Sequence, residues 1–253
     1  MRLKKGYRRN NIIKAGKRNR GDHAMTRPEI VVNVFSSADG KITTAPGRNV
    51  SEWTAAGVDG EAHDAAHRLY DDLGCDGLIS GSETLMVYGS HWVDLEKAVY
   101  EPQKSKAYIV FDGKGRINWH QTEGLIVVTK ENVSEDYIRQ LEEKNISYIQ
   151  AGSGDFIDLP AALEKLYEKG FRRLGISGGG GVNGAFLRAG LIDEISLVLA
   201  PVAVGGNTTP SIFDCSDLKD LEGVTELELL ASRPVGRGSV WVHYKVKKAV
   251  PQP

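Results

Sequence analysis

Read for its alternation of apolar and polar positions, the 253-residue chain divides into short apolar runs separated by segments with helical spacing. Glu29–Phe35 is rich in β-branched residues and predicts a first strand. Residues 59–73 place Ala62, Ala65, Ala66, Leu69 and Leu73 on one helical face. Cys75–Ser80 reads as a second buried strand, and Gly81-Ser-Glu-Thr-Leu85 turns into another helix start. Lys106–Phe111, Leu125–Thr129 and Ser147–Gln150 predict three more strands. Val133–Lys144 is helical, with Val133, Tyr137, Ile138 and Leu141 inward. Asp158–Lys169 is helical too, capped by Asp158, with Pro160 in its first turn and Gly170 closing it. Arg173 opens a sixth strand that runs into four consecutive glycines, Gly178–Gly181, and then a helix bearing Val182, Ala185, Phe186 and Leu187. Glu194–Leu199 is a seventh strand. Thr225–Ala231 and Ser239–Val246 alternate and join through Pro234-Val-Gly-Arg-Gly238, which predicts a closing antiparallel hairpin.

Strands alternating with helices, followed by a strand-rich C-terminus, predict an α/β fold. Its central sheet is mostly parallel, flanked by helices, with the antiparallel hairpin at one edge. No internal repeat or Pro-rich linker divides residues 28–253, so a single domain is expected there. With 41% hydrophobic and 26% charged residues, the composition is that of a globular protein rather than a disordered one. No apolar run approaches the roughly 20 residues of a membrane span. Cys75 and Cys215 lie far apart without CxxC or Cys/His spacing, so neither a disulfide framework nor a zinc site is indicated, and a reducing cytoplasm is expected.

Charge changes the picture at one end only. Residues 1–27 hold ten of the 32 Lys and Arg and a single acid, Asp22, leaving a formal −10 on the remainder. Contact with nucleic acid or an acidic membrane surface, an organelle address and a plain disordered extension are all compatible with such a tail. The extension, without nucleic-acid or membrane partners, is the expectation, because this segment has nothing to bury.

The glycine run is the most informative chemistry. A strand, a run of residues without Cβ atoms and a helix start let the backbone approach a ligand and present free N–H groups to an anion. A tight strand-to-helix turn needs one or two glycines, so four predict a phosphate-bearing cofactor. The run is neither GxGxxG nor a Walker loop. Gly81-Ser-Glu-Thr84 offers a second phosphate or adenosine contact, or simply helix caps. Three segments at carboxyl ends of strands, Ser36–Lys41, Gly81–Thr84 and Ser177–Val182, are expected to meet in one cleft. Lys41 in Asp39-Gly-Lys41 is then either a cation at the cleft mouth, able to orient or protonate a substrate, or a solvated lysine. Trp53 stacks on a planar ring or fills the core, and Ser51 is a candidate phosphate ligand. His63 and His67 stand at i, i+4, a metal-capable spacing, but no carboxylate motif frames them and no metal is expected.

These residues together resemble a known family. Ser37-Ala-Asp-Gly-Lys-Ile42, Ser51-Glu-Trp53, Asp76-Gly-Leu-Ile-Ser-Gly-Ser-Glu-Thr84, Gly178-Gly-Gly-Gly-Val-Asn-Gly184 and Gly190-Leu-Ile-Asp-Glu-Ile195 look like the C-terminal reductase domain of bacterial riboflavin biosynthesis proteins. They also look like the stand-alone pyrimidine reductases of archaea and fungi. The likeness runs from about Glu29 to Lys247. It implies a dihydrofolate-reductase-like fold, NADPH as hydride donor, a homodimer, and a small-molecule substrate, a ribosylaminopyrimidine 5′-phosphate whose ribosyl group is reduced to ribityl. By position it implies that Gly81, Thr84, Gly178, Gly179, Gly180, Gly181 and Val182 hold the cofactor. Asp39 and Lys41 would be catalytic, with Lys41 the proton source, and Ser51, Trp53 and Ser177 would meet the substrate. Three positions depart from the family pattern. Ser177 stands where Glu is frequent, Asp71-Asp72 where an Arg grips substrate phosphate, and Tyr88-Gly-Ser90 where Asp-Asp-Pro is usual. These keep open a related reductase of a pterin, folate or other heterocycle, or a nucleotide-binding homologue without activity.

Overall fold

The computed structural model describes residues 27–48, 52–53, 57–87, 92–93, 107–119 and 124–247. The basic tail as far as Thr26, Ser51 and Tyr88-Gly-Ser90 lie outside the described residues, while Arg27 is described. In chain order the elements are β1 (Glu29–Ser37), α1 (Gly60–Asp72), β2 (Gly77–Gly81), α2 (Ser82–Val87), β3 (Trp92–Val93), β4 (Ala107–Phe111), β5 (Asn118–Trp119) and β6 (Leu125–Thr129). They continue as α3 (Glu135–Glu143), β7 (Ser147–Gln150), α4 (Leu159–Glu168), β8 (Arg173–Gly178), α5 (Gly180–Arg188), β9 (Glu194–Ala200), β10 (Leu227–Val235) and β11 (Ser239–Val246).

Nine strands form one sheet in the order β10-β11-β9-β1-β8-β2-β4-β6-β7. Every pair from β9 to β7 is parallel, and only β10–β11 and β11–β9 are antiparallel. The predicted architecture is therefore the observed one. Both faces of the parallel strands are covered, which is why they read as continuous apolar runs. Val32, Ile79, Ile109 and Val128 point to the face packed by Leu163 and Leu166 of α4 and Phe186 of α5. Their neighbours Val31, Leu78, Val110 and Val127 point to the face packed by Tyr70, Leu85, Tyr137 and Leu141 of α1, α2 and α3. Each fully buried aliphatic side chain contributes about 1.5–3 kcal/mol.

Helix ends follow the sequence closely. Ser134 accepts from the Tyr137 amide and Asp158 from that of Ala161, so both helices begin on a capping side chain. Asp59 does more than cap α1. Its carboxylate accepts from the amides of Ala62, Arg237 and Ser239 and from the Ser239 hydroxyl at 2.6 Å. That ties α1 to the hairpin turn. The hairpin is longer than predicted, because β10 continues through Pro234, which pairs with Val240. Proline is tolerated there because β10 is the sheet edge and needs no outward N–H. The parallel pair β3–β5 is too short to leave a pattern in the sequence.

Candidate active site

The cleft starts in strand register. β1 and β8 pair from Glu29↔Arg173 to Val32↔Ile176 and then part. β1 continues alongside β9 to Ser37↔Ala200, while β8 turns into Gly178. The gap at their carboxyl ends is where an open parallel sheet takes its ligands. A cleft of about 720 Å³ occupies it, lined by Asn33–Phe35, by Ser177–Val182 and by Gly81–Thr84. That volume suits a nucleotide-sized ligand. Two of the three segments expected to converge thus share one wall.

The glycines of that wall answer different demands. Gly178 has φ +113, outside the range of ordinary L residues, and the Gly178–Gly179 peptide is cis. The Gly179 amide donates to Thr84 Oγ1 at 2.7 Å, joining the two lining segments. A Cβ on Gly180 would stand 2.4 Å from the Ser211 carbonyl oxygen and 2.3 Å from Asp214 Oδ2. Gly181 faces open space. The helix begins earlier than predicted, with Gly180 and Gly181 inside its first turn. Gly179, its N-cap, supplies no side-chain acceptor. The amides at this end lie along the cleft with the positive end of the helix dipole, a setting that favours an anion.

The Asp39-Gly-Lys41 turn sits on the rim rather than in the wall. Residues on either side of it, Phe35 and Ile42, line the cleft, but Asp39 and Lys41 do not. The Asp39 carboxylate accepts from Ser37 Oγ at 2.6 Å and from the amides of Val204 and Gly205. These bonds, the serine's foremost, lower its pKa to about 2. Lys41 Nζ donates to the Thr209 carbonyl at 3.0 Å. Lys41 also bridges Ser211, the residue that abuts Gly180. The turn and the glycine run are therefore on the same side of the molecule, clamped together through residues 204–214. Trp53 is buried, its ring 6.1 Å from Phe35, one ring behind the cleft wall. Its Nε1 is buried without a partner among the described residues. Ser177 lines the cleft and donates to the Ile79 carbonyl.

Several lining residues were not singled out from sequence. Lys114 and Arg116 follow β4, and Phe156, 85% exposed, precedes α4. Arg116 pairs with Glu83, while its Nε is buried without a partner among the described residues. Nothing in local sequence marks them, because they reach the cleft through the order of β2, β4 and β6. On the opposite wall, α1 presents His63, Ala66, His67 and Tyr70. The acids that seemed to replace a phosphate grip, Asp71 and Asp72, are exposed and do not line the cleft. Among the described residues no group of three or more His, Cys, Asp or Glu could hold a metal ion.

A mostly parallel sheet with a cleft of nucleotide size at its switch point, walled by a glycine-rich helix N-terminus, defines an α/β protein. The model of the RibD C-terminal domain family matches residues 28–241, and the chain belongs to that family. It is 26% identical over 227 residues to the 2,5-diamino-6-ribosylamino-4(3H)-pyrimidinone 5′-phosphate reductase of Methanothermobacter thermautotrophicus, covering 87% of this chain and 99% of that protein. Among solved structures it resembles Acinetobacter baumannii RibD, with a TM-score of 0.65 and 18% identity over 88% of this chain. The chain spans 59% of that longer protein. It also resembles the riboflavin biosynthesis reductase of Saccharomyces cerevisiae, with a TM-score of 0.60 and 15% identity, covering 90% of this chain and 93% of the yeast one.

Proposed function

We propose that this protein is an NADPH-dependent reductase of the riboflavin-pathway type, converting the ribosyl group of a ribosylaminopyrimidine 5′-phosphate to ribityl. The observation that carries the reading is the cleft between β1 and β8, with an uncapped glycine helix start in its wall. The archaeal relative, similar over almost its whole length, is named as a reductase of such a compound. Bound there, NADPH would supply the hydride. The amides of Gly180–Val182 would meet its pyrophosphate, and Gly81, Thr84, Gly178 and Gly179 would flank it. Lys114 and Arg116 are the cations available for a ribose 2′-phosphate, and the exposed Phe156 ring is available to adenine.

The chain's own residues position and enclose. Ser177, which lines the cleft, would meet the substrate, and Asp39 and Lys41 hold the 204–214 segment at the rim. Lys41, directly or through water, is the proton source in this reading and Ser51 a substrate contact, while Trp53 supports the Phe35 wall from behind. The protein would act in the cytoplasm as a homodimer. Support for pairing is the edge strand β10, where Leu227, Leu229 and Leu230 are 39%, 56% and 47% exposed. No helix of the described residues is long and apolar enough to cross a membrane.

The test is NADPH oxidation followed against the ribosylaminopyrimidine phosphate and dihydrofolate in parallel. Turnover of the first alone is expected. Turnover of dihydrofolate alone would transfer the protein to the pterin and folate reductases, and NADPH binding without either turnover would make it a binding protein.

A further inference from the structure

Two oppositely charged side chains in the cleft wall are paired with each other. Glu83 stands in the first turn of α2, directly before Thr84, and its carboxylate accepts from the Arg116 guanidinium. Both residues line the cleft. The Glu83 side chain is 74% exposed and that of Arg116 32%. Among the described residues Glu83 is the only acceptor of that guanidinium, and Arg116 Nε is buried without one. Arg116 is also anchored through its backbone. Asp112, fully buried just past β4, accepts the amides of Arg116 and Ile117 at 2.9 and 3.1 Å on one carboxylate oxygen. The Tyr137 hydroxyl donates to the same oxygen at 2.9 Å. A Cβ on Gly115, φ +61, would stand 2.8 Å from Tyr137 Cδ1, so the turn lies flat against α3. The cation is presented to Glu83 from a fixed mount.

Strand order decides what this pair meets. Along the carboxyl ends the sheet runs β1, β8, β2, β4. The gap between β1 and β8 takes the substrate, and the glycine amides follow β8. In the same direction, β2 leads to Glu83 and Thr84, and β4 leads to Lys114 and Arg116. Thr84 Oγ1 accepts the Gly179 amide at 2.7 Å, so Glu83 is next in chain to the residue that flanks the glycines. A dinucleotide with its pyrophosphate on those amides and its nicotinamide toward β1 lays its adenosine ribose over the ends of β2 and β4.

At that ribose the two nicotinamide dinucleotides differ in one group, a free 2′-hydroxyl or a 2′-phosphate. A carboxylate accepts from the hydroxyl, and an arginine takes the phosphate. This wall carries both, and each neutralises the other. A phosphate must displace the carboxylate and then lie beside it. An exposed ion pair is easily broken, weakening affinity by no more than about fivefold, and Lys114 on the same turn adds a cation. A hydroxyl displaces nothing. It donates to Glu83 while Arg116 steadies the carboxylate. Resting on the reductase reading, we infer that Glu83 sets the cofactor choice, accepting the ribose 2′-hydroxyl of NADH and offsetting Arg116 against the 2′-phosphate, so that the protein takes NADH alongside NADPH.

Calorimetry on the full chain with NAD⁺ and with NADP⁺ tests this through binding alone. Wild-type dissociation constants are expected within about tenfold of each other, a readout that needs no variant to fold. Glu83→Gln keeps the side chain's size and removes its charge. It should weaken NAD⁺ about fivefold and tighten NADP⁺ at least about twofold, shifting their ratio at least about tenfold. Arg116→Gln should weaken NADP⁺ about tenfold and leave NAD⁺ within about twofold. A wild-type preference for either dinucleotide above about tenfold, NAD⁺ affinity untouched by Glu83→Gln, or a smaller shift of the ratio each overturns the inference. Turnover of the ribosylaminopyrimidine phosphate with NADPH but not NADH would sink this role of Glu83 and leave the reductase standing. The expected ratios without turnover by either dinucleotide would do the reverse.

Discussion

The two ends of the parallel strands are built on opposite rules. At the amino ends, charges are matched to one another. Arg173 pairs with both Glu29 and Glu194, His243 reaches Glu194 at 2.9 Å, and Arg27 grips Asp193, which also accepts the Ile30 amide. At the carboxyl ends, β1 and β8 separate, a helix starts without a capping side chain, and Arg116 keeps a buried Nε unpartnered among the described residues. The first end spends its polar groups on stability. The second leaves them for a ligand. Substitutions at the first should therefore cost folding, and those at the second should cost binding first.

The sharpest way to break this comparison lies inside the glycine run, whose members should not behave alike. Gly180→Val drives a side chain into Ser211 and Asp214. It should lose about 2–3 kcal/mol in urea unfolding, together with NADPH binding. Gly181→Ala meets open space within a helix, so it should gain about 0.5–1 kcal/mol of stability while weakening NADPH. An unchanged Kd in that variant would remove Gly181 from the ligand. Gly179→Val, pressed against Thr84, should weaken NADPH at least about tenfold.

At the amino end the expected loss is comparable but purely structural. Glu194→Gln strips a half-buried arginine of one partner and should cost about 2–3 kcal/mol, with the NADPH Kd unchanged once folded. Acid unfolding separates the two ends further. At the amino end, His243 and then Arg173 hold the Glu194 carboxylate at about 2 against burial. A depressed carboxylate gives stability that is full above about pH 4.5 and disappears as pH falls toward 2. His67, held near 4, is protonated more readily unfolded than folded, so its penalty develops between about pH 6.5 and 4. Urea unfolding against pH should show the upper window reduced in His67→Gln, with His63 supplying the remainder, and the lower one reduced in Glu194→Gln, with Asp39 and Asp59 supplying the remainder. The smallest expected effect on the fold is that of Lys41→Ala. Turnover should drop about 10- to 100-fold, while NADPH binding stays within about twofold. Equal turnover would take Lys41 out of the mechanism.

Much of the fold was legible because its signals are local. Both sheet faces are covered, so strands appear as apolar runs, and Ser134, Asp158 and Pro160 mark helix starts within a few residues. The glycine run marked the cleft for the same reason. What sequence could not give was each residue's partner. Gly180 is small because of Ser211 and Asp214, more than thirty residues on. The Asp39 carboxylate faces Val204 and Gly205 across the sheet end rather than the cleft. The His63–His67 spacing was visible and no metal was expected there, but local spacing could not show that α1 turns both rings toward a cleft opened by strands β1 and β8.

The central claim is that the amides of the glycine helix start receive the dinucleotide. Amide chemical shifts recorded as NADP⁺ is added test it directly. The account predicts the largest shifts at Gly179–Val182 and Thr84, with the β10–β11 hairpin unmoved. Saturable binding that leaves those amides unshifted and moves another surface would contradict it.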